Sequence, residues 1–164
     1  MSQTKKIILG LDPGLADTGF GVIAKLGSHL SFIDAGSIRT AKSQNFIDRL
    51  VIIHRTVDQL IKKYRPDLIG VEKLYFAKNV KTALDVGQAR GVTLLAIAQN
   101  HKDMVEFTPL QIKQTIAANG QATKKQVGLM VKTILCLRQV PRPDDAADAL
   151  AAAITAAFFN KKLA

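Results

Sequence analysis

The chain has 164 residues, of which 48% are hydrophobic and 22% are charged. This composition excludes an unfolded chain and allows a sizeable buried core. Lys and Arg number 23 against 13 Asp and Glu, and the net charge of +10 favours a polyanionic partner, nucleic acid first and an anionic membrane second.

The first half of the chain changes from strand patterns to a helix pattern. Residues 6–12 form a short apolar run that ends at an acid, which is typical of a buried strand. Two further apolar runs, over 18–25 and 30–40, are separated by a glycine-bearing turn, so we predict an antiparallel meander. Over 45–64 the apolar residues recur every three or four positions, which predicts a helix with one buried face.

The second half alternates strands and helices. We predict a second buried strand over 65–73, a long helix over 79–100 and a short strand over 103–107. Thr108 followed by Pro109 is typical of the start of another helix.

Two more helices complete the predicted order. One lies within 119–137, and the last runs from Asp145 onward with Asp144 as its N-cap. Cys136, the single cysteine, lies in an apolar run of the first of these helices, so we expect it to be buried. A meander followed by strand–helix–strand units predicts an α/β fold with one mixed sheet and helices on both faces.

The location and domain count follow from the same sequence. No apolar run approaches the ~20 residues of a membrane-spanning helix. The apolar run after the basic start is too short for a good signal peptide, so we expect a cytoplasmic protein. Without an evident linker or repeat, residues 1–164 are predicted to form one domain.

Two acids end predicted strands, Asp12 on the first and Glu72 on the next buried one. Buried strands of this kind tend to be parallel neighbours, so both carboxylates can emerge at the same carboxyl edge of the sheet, where sites gather in α/β proteins. Each acid also has an ordinary explanation, because Asp-Pro-Gly is a common turn and a glutamate at a strand end can meet water.

Two further acids share one face of the last helix. Asp145 and Asp148 are three residues apart, and alanines flank Asp148. Small side chains would let this helix lie close to the sheet and bring both aspartates near the strand ends. Clustered carboxylates repel one another unless a cation lies among them.

The cluster predicts a metal site. Oxygen ligands without a His or Cys pattern suit Mg²⁺ or Mn²⁺ rather than zinc. In a basic protein, which attracts phosphates, two such ions can activate a water and stabilise the leaving oxygen in phosphodiester hydrolysis.

Five stretches of the sequence form a specific joint pattern. In chain order they are LGLDPGLADTGFGVI, VEKLYFAKN, VGQARGV, IKQTIAANGQATKKQV and DAADALAAAI. From about Ile7 to Ala157 the chain thereby resembles the RuvC family of Holliday-junction resolvases. The resemblance implies a ribonuclease-H-like fold with a five-stranded sheet, a homodimer, and two Mg²⁺ ions per site, for which Mn²⁺ can substitute. It also implies paired symmetric nicks at a four-way DNA junction in recombination and repair, with the RuvA–RuvB branch-migration complex as partner.

The resemblance also assigns roles to residues. The acidic tetrad of catalytic metal ligands would consist of Asp12, Glu72, Asp145 and Asp148. Lys113 and Lys124 match basic residues near the scissile phosphate, where they bind DNA and assist catalysis. Tyr75 matches an aromatic residue that meets bases at the junction, and Lys78 in the same stretch is expected to bind DNA.

Some positions stay open in this comparison. Family members vary between Asp and His at the position of Asp145, which makes its share in metal binding uncertain. Lys73 follows Glu72 where many members carry a neutral Gln, and its effect on the neighbouring carboxylate does not follow from the sequence. Gly87 and Gly91 are four apart on the predicted long helix, where they serve either a dimer contact or close packing on the sheet.

Three other functions share parts of the pattern. A YqgF-type nuclease also opens with DPG but lacks the VEKLYFAKN and DAADAL stretches. A sugar-kinase or actin-like ATPase has a similar first loop but needs two such halves. A junction-binding module without catalysis would not need all four acids.

Overall fold

Residues 4–73 and 80–159 are described in the structure of the protein, a computed structural model. Their strands are β1 (Lys6–Asp12), β2 (Asp17–Leu26), β3 (His29–Arg39), β4 (Leu68–Glu72) and β5 (Met104–Phe107). They form one sheet in the order β3-β2-β1-β4-β5. β1, β2 and β3 are the antiparallel meander, whereas β4 is parallel to β1 and β5 is parallel to β4. The predicted five-stranded mixed sheet is confirmed.

The helices of the described residues also follow the predicted order. They are α1 (Phe46–Tyr64), α2 (Val80–Gln99), α3 (Pro109–Ala117), α4 (Lys124–Ile134) and α5 (Asp144–Phe158). Within this described part of the chain, none of them combines the length and the sustained apolar character that a bilayer crossing requires.

Helices cover both faces of the sheet, as predicted. On one face, α1 and α2 pack on a cluster that includes Leu9, Leu11 and Val71. On the other face, α3, α4 and α5 pack on a second cluster around Ile8 and Ile23. Successive strand residues point to opposite faces, and β1 and β4 lie at the centre of the sheet. Their apolar runs are therefore buried on both sides.

Helix α5 lies against the sheet at the distance of backbone contact. A Cβ added at Gly10 of β1 would lie 1.9 Å from the carbonyl oxygen of Ala149. One added at Gly70 of β4 would lie 2.7 Å from the carbonyl oxygen of Ala152. Glycines on the strands and alanines on the helix thus allow the close approach that the alanine-rich sequence predicted.

Two local predictions are wrong. Asp144 is the first residue of α5 and not its N-cap; the cap is Pro143, with no side-chain capping bond. The Asp144 carboxylate instead accepts a hydrogen bond from Arg142 at 2.8 Å, in the first turn where the helix dipole favours an acid. Cys136 is exposed, because α4 ends at Ile134 and Cys136 has the left-handed φ of 51° in the following turn.

Because α5 lies so close to the sheet, substitutions at the two strand glycines should lower the free energy of unfolding by different amounts. We expect Gly10→Ala to lower the free energy of unfolding by more than about 3 kcal/mol, because the added methyl meets helix backbone that cannot move alone. Gly70→Ala, with its longer contact, should cost about 1–3 kcal/mol. Urea unfolding of both variants measures the order, and equal or reversed losses would contradict this account of the contact.

Candidate active site

The sheet and α5 bring three of the predicted acids to one cavity. Leu11 and Val71 are paired neighbours on parallel strands, so Asp12 and Glu72, the residues that follow them, reach the same carboxyl edge. Helix α5 adds Asp148 from above this edge. Together with residues of α3 and α4 they line a cavity of about 220 Å³, whose walls are Asp12, Glu72, Pro109, Ile112, Lys113, Lys124, Val127 and Asp148.

Capping boxes fix the two helices that carry the lysines. At the start of α3, Thr108 Oγ1 accepts a hydrogen bond from the backbone N–H of Gln111, whose side-chain oxygen accepts one from the backbone N–H of Thr108. Thr123 and Gln126 make the same pair of bonds at the start of α4. These caps set where each helix begins, and therefore where its lysine meets the cavity.

Lys124 contacts one of the cavity acids directly. Its Nζ donates a hydrogen bond to Asp148 Oδ2 at 2.8 Å. The Lys124 side chain is 72% exposed and that of Asp148 is 18% exposed, so the lysine reaches from solvent into the cavity. This hydrogen bond is the main reason that the pKa of Lys124 is raised.

Burial and mutual repulsion shift the two strand-end acids. Burial, and then the charges of Asp148 and Asp145, raise the pKa of Asp12 to about 7. Burial, and then the charges of Asp12 and Asp148, raise the pKa of Glu72 to about 8. Lys124 acts against both shifts. The cavity therefore concentrates more carboxylates than its two lysines, Lys113 and Lys124, can neutralise, which is the condition under which a bound cation stabilises a protein site.

The donors fit a hard divalent cation in chemistry, since all are carboxylate oxygens. In the side-chain arrangement of residues 4–73 and 80–159, however, no three Asp, Glu, His or Cys side chains are placed to hold one ion together. The Lys124 ammonium occupies the Asp148 carboxylate instead. Lys124 thus competes with a metal ion for Asp148, and the predicted metal-ligand set stays a prediction.

Asp145 lies apart from the other three acids. It does not line their cavity but a broader groove on the other side of the α5 start, whose charged residues are Asp17, Arg39, Lys42, Arg142, Asp144 and Asp145. Burial, and then the charge of Asp17, raise its pKa. Asp145 still contributes to the shift of Asp12, so it acts on the cavity through its charge.

The remaining predicted residues have different outcomes. Tyr75 and Lys78 lie outside the described residues. Lys73 is exposed, and its backbone N–H donates to the carbonyl of Phe107 at 2.8 Å. Its charge is absent from the causes that shift the pKa of Glu72, which are led by burial and opposed by the two cavity lysines.

The sequence reasoning missed the apolar walls of the cavity. Ile112 precedes Lys113 on α3, and Val127 lies one turn after Lys124 on α4; both side chains are buried. An apolar residue beside each lysine was the available signal. These walls keep water from the carboxylates and so produce much of their pKa shifts.

The raised pKa values predict how stability depends on pH. Between its ordinary pKa and its raised one, a carboxyl binds more protons in the folded than in the unfolded state, so stability falls as pH rises through that window. In EDTA we expect the wild-type free energy of unfolding to fall between about pH 4 and about pH 8, whereas Asp12→Asn loses part of this fall, on the order of a few kcal/mol.

The matched control for this measurement is Asp48→Asn, since Asp48 is exposed in the first turn of α1. It should keep the wild-type pH dependence in urea unfolding. If Asp12→Asn and wild type lose stability in parallel over this pH range, the carboxyl of Asp12 does not carry the shift.

Comparison with known proteins identifies the family. A family model, "Crossover junction endodeoxyribonuclease RuvC", matches residues 8–156. The curated RuvC protein of Halothermothrix orenii is 53% identical over 148 residues, which are 90% of each chain. That of Ruminiclostridium cellulolyticum is 51% identical over 148 residues, 90% of this chain and 89% of the relative.

A solved structure agrees in fold and sequence. It is the Thermus thermophilus RuvC in complex with Holliday junction substrate, with a TM-score of 0.88 and 34% identity, covering 93% of both chains. The match spans the sheet, the cavity acids and the two lysines on α3 and α4. The chain therefore belongs to the RuvC family of crossover junction endodeoxyribonucleases.

Proposed function

We propose that this protein is a cytoplasmic single-domain endonuclease that resolves Holliday junctions by paired symmetric nicks. The observation that carries the proposal is the shared cavity of Asp12, Glu72 and Asp148 with Lys113 and Lys124. The relative from Thermus thermophilus, crystallised with a Holliday junction, supports the choice of substrate.

Nucleases of the RuvC family are metal-dependent, and we propose two Mg²⁺ ions per site, with Mn²⁺ as a substitute. Asp12, Glu72 and Asp148 would hold them, with Asp145 contributing from the adjoining groove. Ions bound there supply Lewis acidity to the phosphate and lower the pKa of a water. The carboxylates would orient the ions and the water, and the apolar walls would exclude bulk water from the reacting phosphate.

The two lysines would bind the scissile phosphate. Lys113 lines the cavity from α3, and its charge lowers the pKa of Glu72. Lys124 is bound to Asp148, and we propose that its ammonium moves from this carboxylate to a phosphate oxygen when the site is loaded. A cation at this position stabilises the charge that develops on the phosphate as the bond breaks.

A homodimer gives a physical reason for paired nicks, since two identical sites can face two strands. The outward face of α2 supports an interface there: Leu84 is 64% exposed and Leu95 is 50% exposed. Within the described part of the chain, Cβ atoms added at Gly87 and Gly91 would meet nothing within 4 Å. This open space supports the dimer contact over close packing on the sheet of their own chain.

The RuvA–RuvB complex remains part of the proposal as a partner of the loaded enzyme. It is supported by the family to which the chain belongs.

The acidic mechanism predicts that Asp12→Asn separates cleavage from binding. The substitution keeps the side-chain shape but removes a ligand charge, so single-turnover cleavage of a synthetic junction in Mg²⁺ should fall by at least about a thousandfold, roughly 4 kcal/mol of barrier. Binding in EDTA should persist or improve, because one negative charge near a phosphate is lost. Gel shift and cleavage on one junction measure both.

Asp48→Asn is again the control, because it makes the same chemical change away from the cavity. It should cut at the wild-type rate. Asp12→Asn protein that folds, binds and cuts within about tenfold of wild type would refute the carboxylate mechanism.

The α2 interface predicts a change of oligomeric state. We expect Leu95→Glu to convert the dimer to a monomer, because it places a charge in the apolar centre of a contact between two copies of one surface. Leu26→Glu is the control, since Leu26 is 48% exposed at the end of β2. Sedimentation of both variants decides, and a Leu95→Glu dimer as stable as wild type would remove α2 as the interface.

A further inference from the structure

We propose that the outer face of α4, marked by Lys125 and Lys132, is a phosphate-contact surface that holds the DNA backbone where it leaves the active-site cavity. The proposal rests on the proposed junction-cutting function and extends it to a surface outside the cavity.

The first observation is a strongly one-sided stretch of sequence. Residues 107–143 carry basic side chains and no acidic one, and these basic residues are Lys113, Lys124, Lys125, Lys132, Arg138 and Arg142. Most of the net charge of +10 therefore comes from the segment that contains α3 and α4. A stretch of this kind on a folded surface attracts a polyanion.

The second observation is the position of the lysines on α4. The first turn of this helix contains Lys124 and Lys125 and no acid. The positive end of the helix dipole disfavours cations there. Lys124 is compensated by its bond to Asp148, but Lys125 is exposed and forms no ion pair with any residue that the structure describes. Lys125 thus destabilises its own helix. A residue with such a local cost is expected where it binds a partner outside the protein.

The third observation is the geometry of the helix. Lys125 and Lys132 are seven residues apart, so they lie on the same face, separated by two turns or about 10 Å. At about 3.4 Å of rise per nucleotide, this distance spans roughly three nucleotides of one strand. Leu129 lies between them and is 45% exposed, whereas Val127 and Val131 face the core. Because Lys124 is in the cavity, the surface begins at the cavity edge.

The broad groove at the α5 start is the competing surface for DNA, and its charges are largely paired. Arg39 Nε lies 3.3 Å from Asp17 Oδ1, and Arg142 donates to Asp144 at 2.8 Å. With three acids against three basic residues, this groove has no excess positive charge. Lys125 and Lys132, for which the described part of the chain holds no ion-pair partner, are therefore the better phosphate contacts.

Contacts of this type position DNA without reading its sequence. Each phosphate neutralised by a lysine releases counterions, so the logarithm of the binding constant falls with the logarithm of salt by about 0.9 per contact for duplex DNA. The number of contacts can therefore be measured from the slope.

The test measures this slope in EDTA for a four-way junction with wild type, Lys125→Ala, Lys132→Ala and the double variant. We expect each single variant to reduce the slope by about 0.9 and the double variant by about twice that, equally on junctions of unrelated sequence. The thermal midpoint of Lys125→Ala should be no lower than that of wild type, because an unfavourable interaction with the helix dipole is removed.

Lys6→Ala is the matched control. Lys6 is exposed at the amino end of β1, the opposite end of the strand from Asp12, and it should leave the slope unchanged. Suppose that the wild type binds and cuts the junction but the α4 variants have the same slope as Lys6→Ala. This result would overturn the present inference and leave the proposed function standing. A wild type that neither binds nor cuts the junction would overturn the proposed function and this inference with it.

Discussion

The contact of α5 with the central strands is the constraint on which the site depends. Helix and sheet touch through backbone at Gly10 and Gly70, so the helix lies as close to the sheet as two backbones allow. This contact fixes the height of Asp148 above Asp12 and Glu72, which the parallel pairing of β1 and β4 has already brought together. A larger residue at either glycine would move Asp148 relative to the strand-end acids as well as destabilise the core. The alanine-rich surface of α5 thus packs the helix on the sheet and also determines where Asp148 lies.

The close approach has an electrostatic cost. Burial between the sheet, α5 and the apolar walls from Ile112 and Val127 raises the pKa of both strand-end acids. An isolated protein keeps these groups partly protonated near neutral pH, because the two cavity lysines do not offset burial and the repulsion among three carboxylates. The proposed affinity for added cations would therefore follow from the packing, and the fold and the proposed chemistry would have the same physical cause.

Much of the fold and part of the site could be predicted from local sequence patterns. The succession of strands and helices along the chain and the convergence of Asp12 with Glu72 follow from apolar runs and from the rule for parallel strands. The errors at Asp144 and Cys136 are shifts of one or two residues at helix ends, where local bonds compete with the predicted cap. The bond between Lys124 and Asp148 could not be predicted from spacing, because it joins residues of two helices through side-chain conformation. For the same reason the separation of Asp145 into its own groove became visible only in three dimensions.

The bond between Lys124 and Asp148 has the properties of an exchangeable contact. An ion pair with one partner so exposed contributes only about 0–1 kcal/mol, since solvent screens it and holding a long side chain in place costs entropy. Lysine also lacks the planar fork with which arginine would bind the carboxylate through two hydrogen bonds. The ammonium can therefore leave Asp148 at little cost once a stronger cation or a phosphate competes. A tighter, buried pair would oppose the binding of another cation by the free energy with which it stabilised the cavity, so the weakness of this bond suits the proposed transfer of the Lys124 ammonium from Asp148 to a phosphate.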